Sequence, residues 1–190
     1  MAGRMSGLER RSQVLGIAAA EFADHGLHGA SIDAIAHAAG ITQAYVFRMF
    51  GTKKALFLEL VGAAFDRFSD AMSQAATGTE GLSALALMGT EYYKSLADRT
   101  TLLLQLQGFA ACGDSEVRDL VRARVARMWD TVADTTGLDP VTVKSFLAFG
   151  MLLNNVAALD VAELDEPWAN GVRTRIQQGL FEHITTETNR

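Results

Sequence analysis

Gln43, Tyr45, Arg48, Lys53 and Lys54 are the residues whose types and spacing carry the most chemistry in this chain of 190. An amide, a phenol and a guanidinium near the amino-terminal end of one short helix are groups that a helix buried on all sides rarely carries. Two lysines opening the next helix can meet phosphate. Enzymatic constellations are missing by contrast. No Ser-His-Asp, Cys-His, paired-carboxylate or Gly-rich phosphate motif occurs with usable spacing, so a helical enzyme is the weakest reading and no catalytic residue is assigned. Cys112 stands alone, which rules out an intrachain disulfide and a multi-cysteine metal site and fits a small apolar packing residue. His25 and His28 flank a Gly-containing turn with no carboxylate or cysteine cluster nearby. Neither a metal nor a cofactor is expected.

The stretch that must position those groups is SIDAIAHAAGITQAYVFRMFGTKK, Ser31 to Lys54. Apolar Ile32, Ile35, Ala36 and Ala39 recur at helical intervals and stop at Gly40, which suits the left-handed conformation that ends a helix. Ser31 fits an N-cap with Asp33 in the first turn, and Thr42 supplies a second N-cap two residues after Gly40. The second helix, Thr42 to about Met49, is expected to turn Val46, Phe47 and Phe50 inward. Gln43, Ala44, Tyr45 and Arg48 remain for other uses. A helix–turn–helix of this form suits insertion into a DNA major groove. Before it, Leu8 to His25 carries an apolar stripe of Val14, Leu15, Ala18, Ala19 and Phe22 that stops at Gly26. After it, Leu56, Phe57, Leu60, Ala64, Phe65, Phe68 and Met72 predict one long helix from Lys53 to the Thr77–Gly81 breaker.

About half of the residues are hydrophobic (49%) and only two are Pro, which fits a soluble helical protein with a full core. No apolar run is long enough to cross a bilayer uncharged, so no membrane partner is expected. The opening MAGRMSGLERR lacks the apolar stretch of a secretory signal, which points to the cytoplasm. The net charge of −5 is uneven. Residues 1–55 hold six Lys/Arg against four Asp/Glu, a balance of +2, and the remainder holds eleven against eighteen, a balance of −7. The positive excess falls on the helix–turn–helix.

Beyond Gly81 the periodicity predicts five more helices, at about 82–98, 101–112, 114–136, 140–160 and 166–187. Asp114 with Glu116, Asp139 with Pro140, and Glu166 with Pro167 mark helix starts. Arg118, Arg122, Arg124 and Arg127 are expected to form a salt-bridged face with Asp114, Glu116 and Asp119. The 140–160 segment is apolar nearly all round, so burial on both faces is expected, one within the subunit and one against a partner. Gly150, Ala157 and Ala158, with Gly171 and Gly179 on the last helix, would let helices approach closely. A homodimer through a four-helix interface follows. The same half has the soft and aromatic composition of a small-molecule pocket. Its candidate walls are Met88, Tyr92, Leu103, Phe109 and Met128, then Trp129, Phe146 and Phe149, with the amides Gln107 and Asn154 as polar contacts.

The order of elements resembles the amino-terminal DNA-binding domain of the TetR (tetracycline-repressor-like) family of bacterial regulators. The resemblance rests on AAAEFADHGLHGASIDAIAHAAGITQAYVFRMFGTKKALFLELV, covers about residues 10 to 61, and includes an F-x-x-K-x-x-L pattern at Phe50, Lys53 and Leu56. It implies that Thr42, Gln43, Ala44 and Tyr45 meet bases, with Ser31, Arg48 and Lys53 on or near the phosphate backbone. Phe47 and Met49 depart from the family, which usually has Tyr and often His or Tyr there, so two habitual phosphate hydrogen bonds are lost and Arg48 and Lys54 are the substitutes at hand.

The expectation is therefore an all-α protein with a helix–turn–helix DNA-binding domain over residues 1–55 and a ligand-binding and dimerisation domain over residues 56–190. Its expected partners are double-stranded DNA with a palindromic operator, a small-molecule effector and a second copy of itself. Its function would be sequence-specific transcriptional regulation, as a repressor released by an apolar or amphipathic effector. A DNA-binding protein without an effector, or a helical enzyme, are the alternatives.

Overall fold

The structure, a computed structural model, describes residues 6–174, and every regular element among them is helical. Helix α1 (Gly7–Gly29) begins on a reciprocal cap: Ser6 Oγ accepts from the Glu9 amide at 3.2 Å, and the Ser6 amide donates to Glu9 Oε2 at 2.6 Å. The Ser6 amide and then the Ser6 hydroxyl hold the Glu9 carboxyl below its ordinary range. The stop expected at Gly26 lies inside the element, because Gly26 takes φ +67° and one further turn, Leu27 to Gly29, follows it. The Ala30 amide then closes on the Gly26 carbonyl.

Helices α2 (Ile32–Ala38), α3 (Gln43–Phe50) and α4 (Lys53–Ala75) follow as the sequence predicts. After them come α5 (Gly81–Ser95), α6 (Arg99–Ala110), α7 (Ser115–Thr136) and α8 (Pro140–Ala158). A short 3-10 turn (Val161–Glu163) leads to α9 (Pro167–Arg173). An uninterrupted helix over 166–187 is not formed, since Thr174 is extended (φ −61°, ψ 124°) and terminates α9. The rest of that segment, with Gly179, lies outside the described residues.

The chain divides into two compact units. One holds the chain through Ala64 together with Thr100–Ala123, and the other holds Phe65–Arg99 together with the chain from Arg124 onward. These limits differ from a cut at residue 55. Helices α4, α6 and α7 each begin in one unit and end in the other.

In the first unit the apolar stripes read from the sequence are buried: Val14, Ala18 and Phe22 from α1, Ile35 from α2, Val46 from α3, and Leu56, Phe57 and Val61 from α4. Phe22 and Phe57 pack with ring centroids 5.3 Å apart. Leu102 and Leu104 of α6 and Val117 and Val121 of α7 complete the interior. Gln105 is buried among them, and its Nε2 donates to the Ala64 carbonyl at 3.1 Å. A buried amide needs such a partner to offset lost hydration.

In the second unit Phe68, Met72, Leu85, Met88, Tyr92, Val132 and Val143 form one core, with Met128, Trp129 and Phe146 packed against it. Asp139 caps α8, accepting from the amides of Val141 (2.9 Å) and Thr142 (3.3 Å) and from the Thr142 hydroxyl (2.5 Å). The arginine face differs from expectation. Arg122 pairs with Asp119 at 3.3 Å, but Arg127 joins Asp66 and Asp70, Arg124 faces Asp66 at 3.1 Å, and Arg118 donates to the Cys112 carbonyl. Partners on a helix some sixty positions away in sequence are invisible to a local charge pattern.

Candidate nucleic-acid interface

The turn between α2 and α3 is built by side-chain caps and one glycine. Ser31 Oγ accepts from the Ala34 amide at 3.2 Å, Gly40 takes φ +65°, and Thr42 Oγ1 accepts from the Tyr45 amide at 3.3 Å. An L side chain at Gly40 would be strained in that region. The Ser31 amide donates to Glu21 Oε1 of α1 at 2.8 Å, which pins the start of α2. At the far end, Gly51 (φ +79°) breaks α3, and Thr52 Oγ1 accepts from the Ala55 amide to open α4.

With both ends fixed, α3 buries Val46 and Phe50 and leaves Thr42, Gln43, Ala44, Phe47 and Arg48 exposed, with Tyr45 half-buried. Positions 43, 44, 47 and 48 fall on one stripe of a 3.6-residue helix. The inward Phe47 expected from the sequence is corrected: its ring is 42% exposed and shares the outward stripe with Gln43 and Arg48. Val46 and Phe50, four residues apart, take the core-facing positions, and Phe47 is turned from them by one residue's rotation. The Arg48 guanidinium sits 4.4 Å from the Tyr45 ring centroid, which holds a cation at the edge of the stripe.

The neighbouring groups already have partners. Gln43 Nε2 donates to Asp33 Oδ1 at 2.7 Å, and Lys53 Nζ donates to the His28 carbonyl at 2.9 Å. Lys54 reaches Asp114 (3.2 Å) and Glu116 at the start of α7. Hydrogen bonds to those carboxylates push the Lys54 ammonium above its ordinary range. The Val117 amide and then Lys54 hold the Asp114 carboxyl below its own. The structure thus gives Lys54 two protein anions in the place where a phosphate was expected.

Residues 14–60 match the family model described as bacterial regulatory proteins, tetR family. The chain carries a tetR-family domain. Three solved structures share its fold over most of their length. The fatty acid degradation regulator FadR from Bacillus halodurans is 18% identical, covers 93% of this chain and 100% of its own, and has a TM-score of 0.70. The transcriptional regulator FadR from Bacillus subtilis, solved in complex with stearoyl-CoA, is 15% identical, covers 90% and 97%, and has a TM-score of 0.67. The TetR family transcriptional regulator PfmR from Thermus thermophilus is 19% identical, covers 82% and 88%, and has a TM-score of 0.64. At such identities the likeness is one of fold. No curated protein matches the sequence. The tetR-family domain on an all-helical chain defines the broad class, a DNA-binding transcriptional regulator.

Outside the tetR-family segment, the residues expected to line a pocket are divided between the units. Leu103, Gln107 and Phe109 belong to the first, and the other seven to the second. Gln107 is committed: its Nε2 donates to the Ala23 carbonyl at 3.1 Å, and its Oε1 lies 2.6 Å from where a side chain at Gly26 would begin. Phe109 is exposed, while Met88 and Tyr92 are buried. The Tyr92 hydroxyl donates to Asn154 Oδ1 at 2.6 Å and lies 3.1 Å from the Gly150 carbonyl, and its ring meets Phe68 edge-on at 5.0 Å. Burial pushes the Tyr92 phenol above its ordinary range.

Of the small residues expected at a dimer seam, Gly150 faces Tyr92 within its own unit, where an added Cβ would lie 3.1 Å from the ring. Ala157 and Ala158 are half-buried, and their carbonyls accept from Arg99 at 3.1 and 3.2 Å. Gly171 is exposed. Burial on both faces of α8 is not observed in the single chain. Val143, Asn154 and Val156 are buried, whereas Met151 is 52% and Leu152 45% exposed. Leu159, Leu164 and Trp168, which follow α8 in sequence as far as α9, are exposed as well. Sequence reading names the small residues and misses these large ones. By length and composition α8 is also the one described helix apolar enough to cross a membrane, which corrects the expectation that no segment is. Its Lys144 and Asn155 are exposed and its Asn154 is tied to Tyr92.

Proposed function

We propose that the chain is a homodimeric transcriptional repressor that reads a palindromic operator with α3 and is released by a small apolar or amphipathic effector. The observation that carries this reading is the exposed stripe of α3, where Gln43, Ala44 and Arg48 project from a helix capped at both ends and buried through Val46 and Phe50. Side chains of those types on an exposed helix face match what the major groove presents. Ser31, Thr42, Tyr45 and Lys53 complete the contact surface, with Lys53 exchanging the His28 carbonyl for phosphate. Residues 1–55 serve DNA and residues 56–190 serve the effector and the second copy. The exposed Met151, Leu152, Leu159, Leu164 and Trp168 support the second copy, since a large apolar surface of this kind marks an interaction face. Met88, Met128, Trp129 and Phe146 give the second unit the soft interior that suits an apolar effector, and the stearoyl-CoA complex of the Bacillus subtilis FadR suggests a long-chain acyl-CoA as the first ligand to try.

The mechanism is linkage. Two copies must meet half-sites about one turn apart, roughly 34–36 Å, so an effector that prefers another separation weakens DNA binding. A hundredfold release requires about 2.8 kcal/mol of differential binding. The test is selection from a randomised duplex library, followed by sedimentation of the complex in the cytoplasmic range of salt. An enriched inverted repeat bound by two copies is expected. Absence of any enriched sequence sinks the DNA-reading role, and a single copy per site sinks the dimer.

A further inference from the structure

The sequence places Asp33 in the first turn of α2 and Gln43 at the first position of α3, ten residues on and across the Gly40 turn. Folding brings the two side chains together at 2.7 Å, both of them exposed. A carboxylate only accepts hydrogen bonds, so the nitrogen of the Gln43 amide must be the atom that faces Asp33. The amide is planar, and fixing its nitrogen fixes its oxygen on the opposite side. Gln43 therefore presents an acceptor, Oε1, beside the one remaining hydrogen of Nε2. Adenine offers the complement in the major groove, an N6 donor beside the N7 acceptor. Guanine offers two acceptors, O6 and N7, and could be met only if the amide turned both its hydrogens outward. That rotation would strand the Asp33 carboxylate without its donor in a partly dehydrated interface, which is costly.

We infer that Asp33 is a positioning residue that locks the Gln43 amide in the orientation reading adenine and rejecting guanine. This rests on the proposed role of α3 in DNA reading. Asp33 touches no base. It narrows what Gln43 accepts, and without it the amide turns freely and tolerates either purine.

The experiment uses the full-length chain and duplexes selected from a randomised library by the wild type, Gln43→Ala, Asp33→Ala and Asp33→Asn. The position whose preference vanishes in Gln43→Ala is the one that Gln43 reads, and adenine is expected there for the wild type. Replacing that adenine with unsubstituted purine, which lacks the N6 amino group, should weaken wild-type binding by roughly five- to a hundredfold. Asp33→Ala should accept guanine at that position nearly as well as adenine. Asp33→Asn can turn either its oxygen or its amino group toward Gln43 and should therefore relax the preference as well, although it keeps a hydrogen-bond partner in place. Guanine enriched by the wild type, no effect of the purine replacement, or an unchanged adenine preference in Asp33→Ala would each overturn the inference while leaving DNA reading intact. The purine replacement needs no variant to fold. Failure of the wild type to enrich any sequence would instead remove the reading on which the inference rests.

Discussion

Helices α3 and α8 both show a surface that their own unit does not cover, and the two surfaces have opposite chemistry. On α3 it is a short stripe with an amide and a guanidinium, framed by caps within a few residues of each end. On α8 and its continuation into α9 it is apolar and built from large side chains, with Trp168 51% and Leu159 65% exposed. The framing differs too. Arg99 holds the second surface from a distance in sequence, reaching the carbonyls that end α8, and Arg173 of α9 reaches back to those of Val161 (3.1 Å) and Leu164 (2.7 Å). A polar stripe can sit in water until a duplex arrives. An apolar one of that size calls for a lasting cover, so the two surfaces should differ in the persistence of what they bind.

The largest expected effect tests the apolar side. Leu159→Asp combined with Trp168→Asp should convert the protein to a single-chain species in sedimentation, because each buried charge in such a seam costs about 2 kcal/mol or more. An intact dimer would assign that surface to another partner. Next in size is Tyr45→Ala, which should relax the sequence preference by about 1–3 kcal/mol at one base step in selection experiments. Lys53→Ala should weaken cognate and random duplexes alike and lower the salt slope by about one unit. Comparable losses in specificity from both variants would erase the division between reading and holding on the α3 side. Gln107→Ala should lower the melting temperature by about 2–4 °C, as expected for the loss of one hydrogen bond of about 1 kcal/mol in a chain of this size. The smallest effect concerns pH. The Asp114 carboxyl lies below its ordinary range in the fold, so its stabilising contribution is full above the usual carboxylate titration and fades as pH falls through the lowered value. Asp114→Asn should therefore lower the melting temperature slightly at neutral and alkaline pH, leave values below the lowered titration nearly unchanged, and so flatten the acid limb of the profile.

How much of this is legible in the sequence depends on how far away along the chain the cause lies. Ser31, Gly40 and Thr42 act on amides three residues away or on their own backbone, and their roles are visible in the chain itself. The all-helical class and the long α4 follow from periodicity for the same reason. Phe47 escapes such a reading because Val46, Phe47 and Phe50 are all apolar, and only packing decides which two of the three a short helix buries. Lys54 reads as a phosphate contact because Asp114 and Glu116 stand sixty and sixty-two positions later. Gln107 reads as a ligand contact because Ala23, eighty-four positions earlier, carries the carbonyl that it meets. The Asp33–Gln43 contact spans only ten residues, yet it crosses a turn whose geometry has to be known first.

The first compact unit is assembled from two stretches of chain, one ending at Ala64 and the other running from Thr100 to Ala123. A fragment cut after residue 64 would lack Leu102, Leu104, Val117 and Val121 and would leave the Ala64 carbonyl without Gln105. The reading head is consequently not a portable cassette. Grafting it onto another regulator would require transplanting a matching internal segment along with it, so recombination at a single junction should yield insoluble chimeras far more often than working ones.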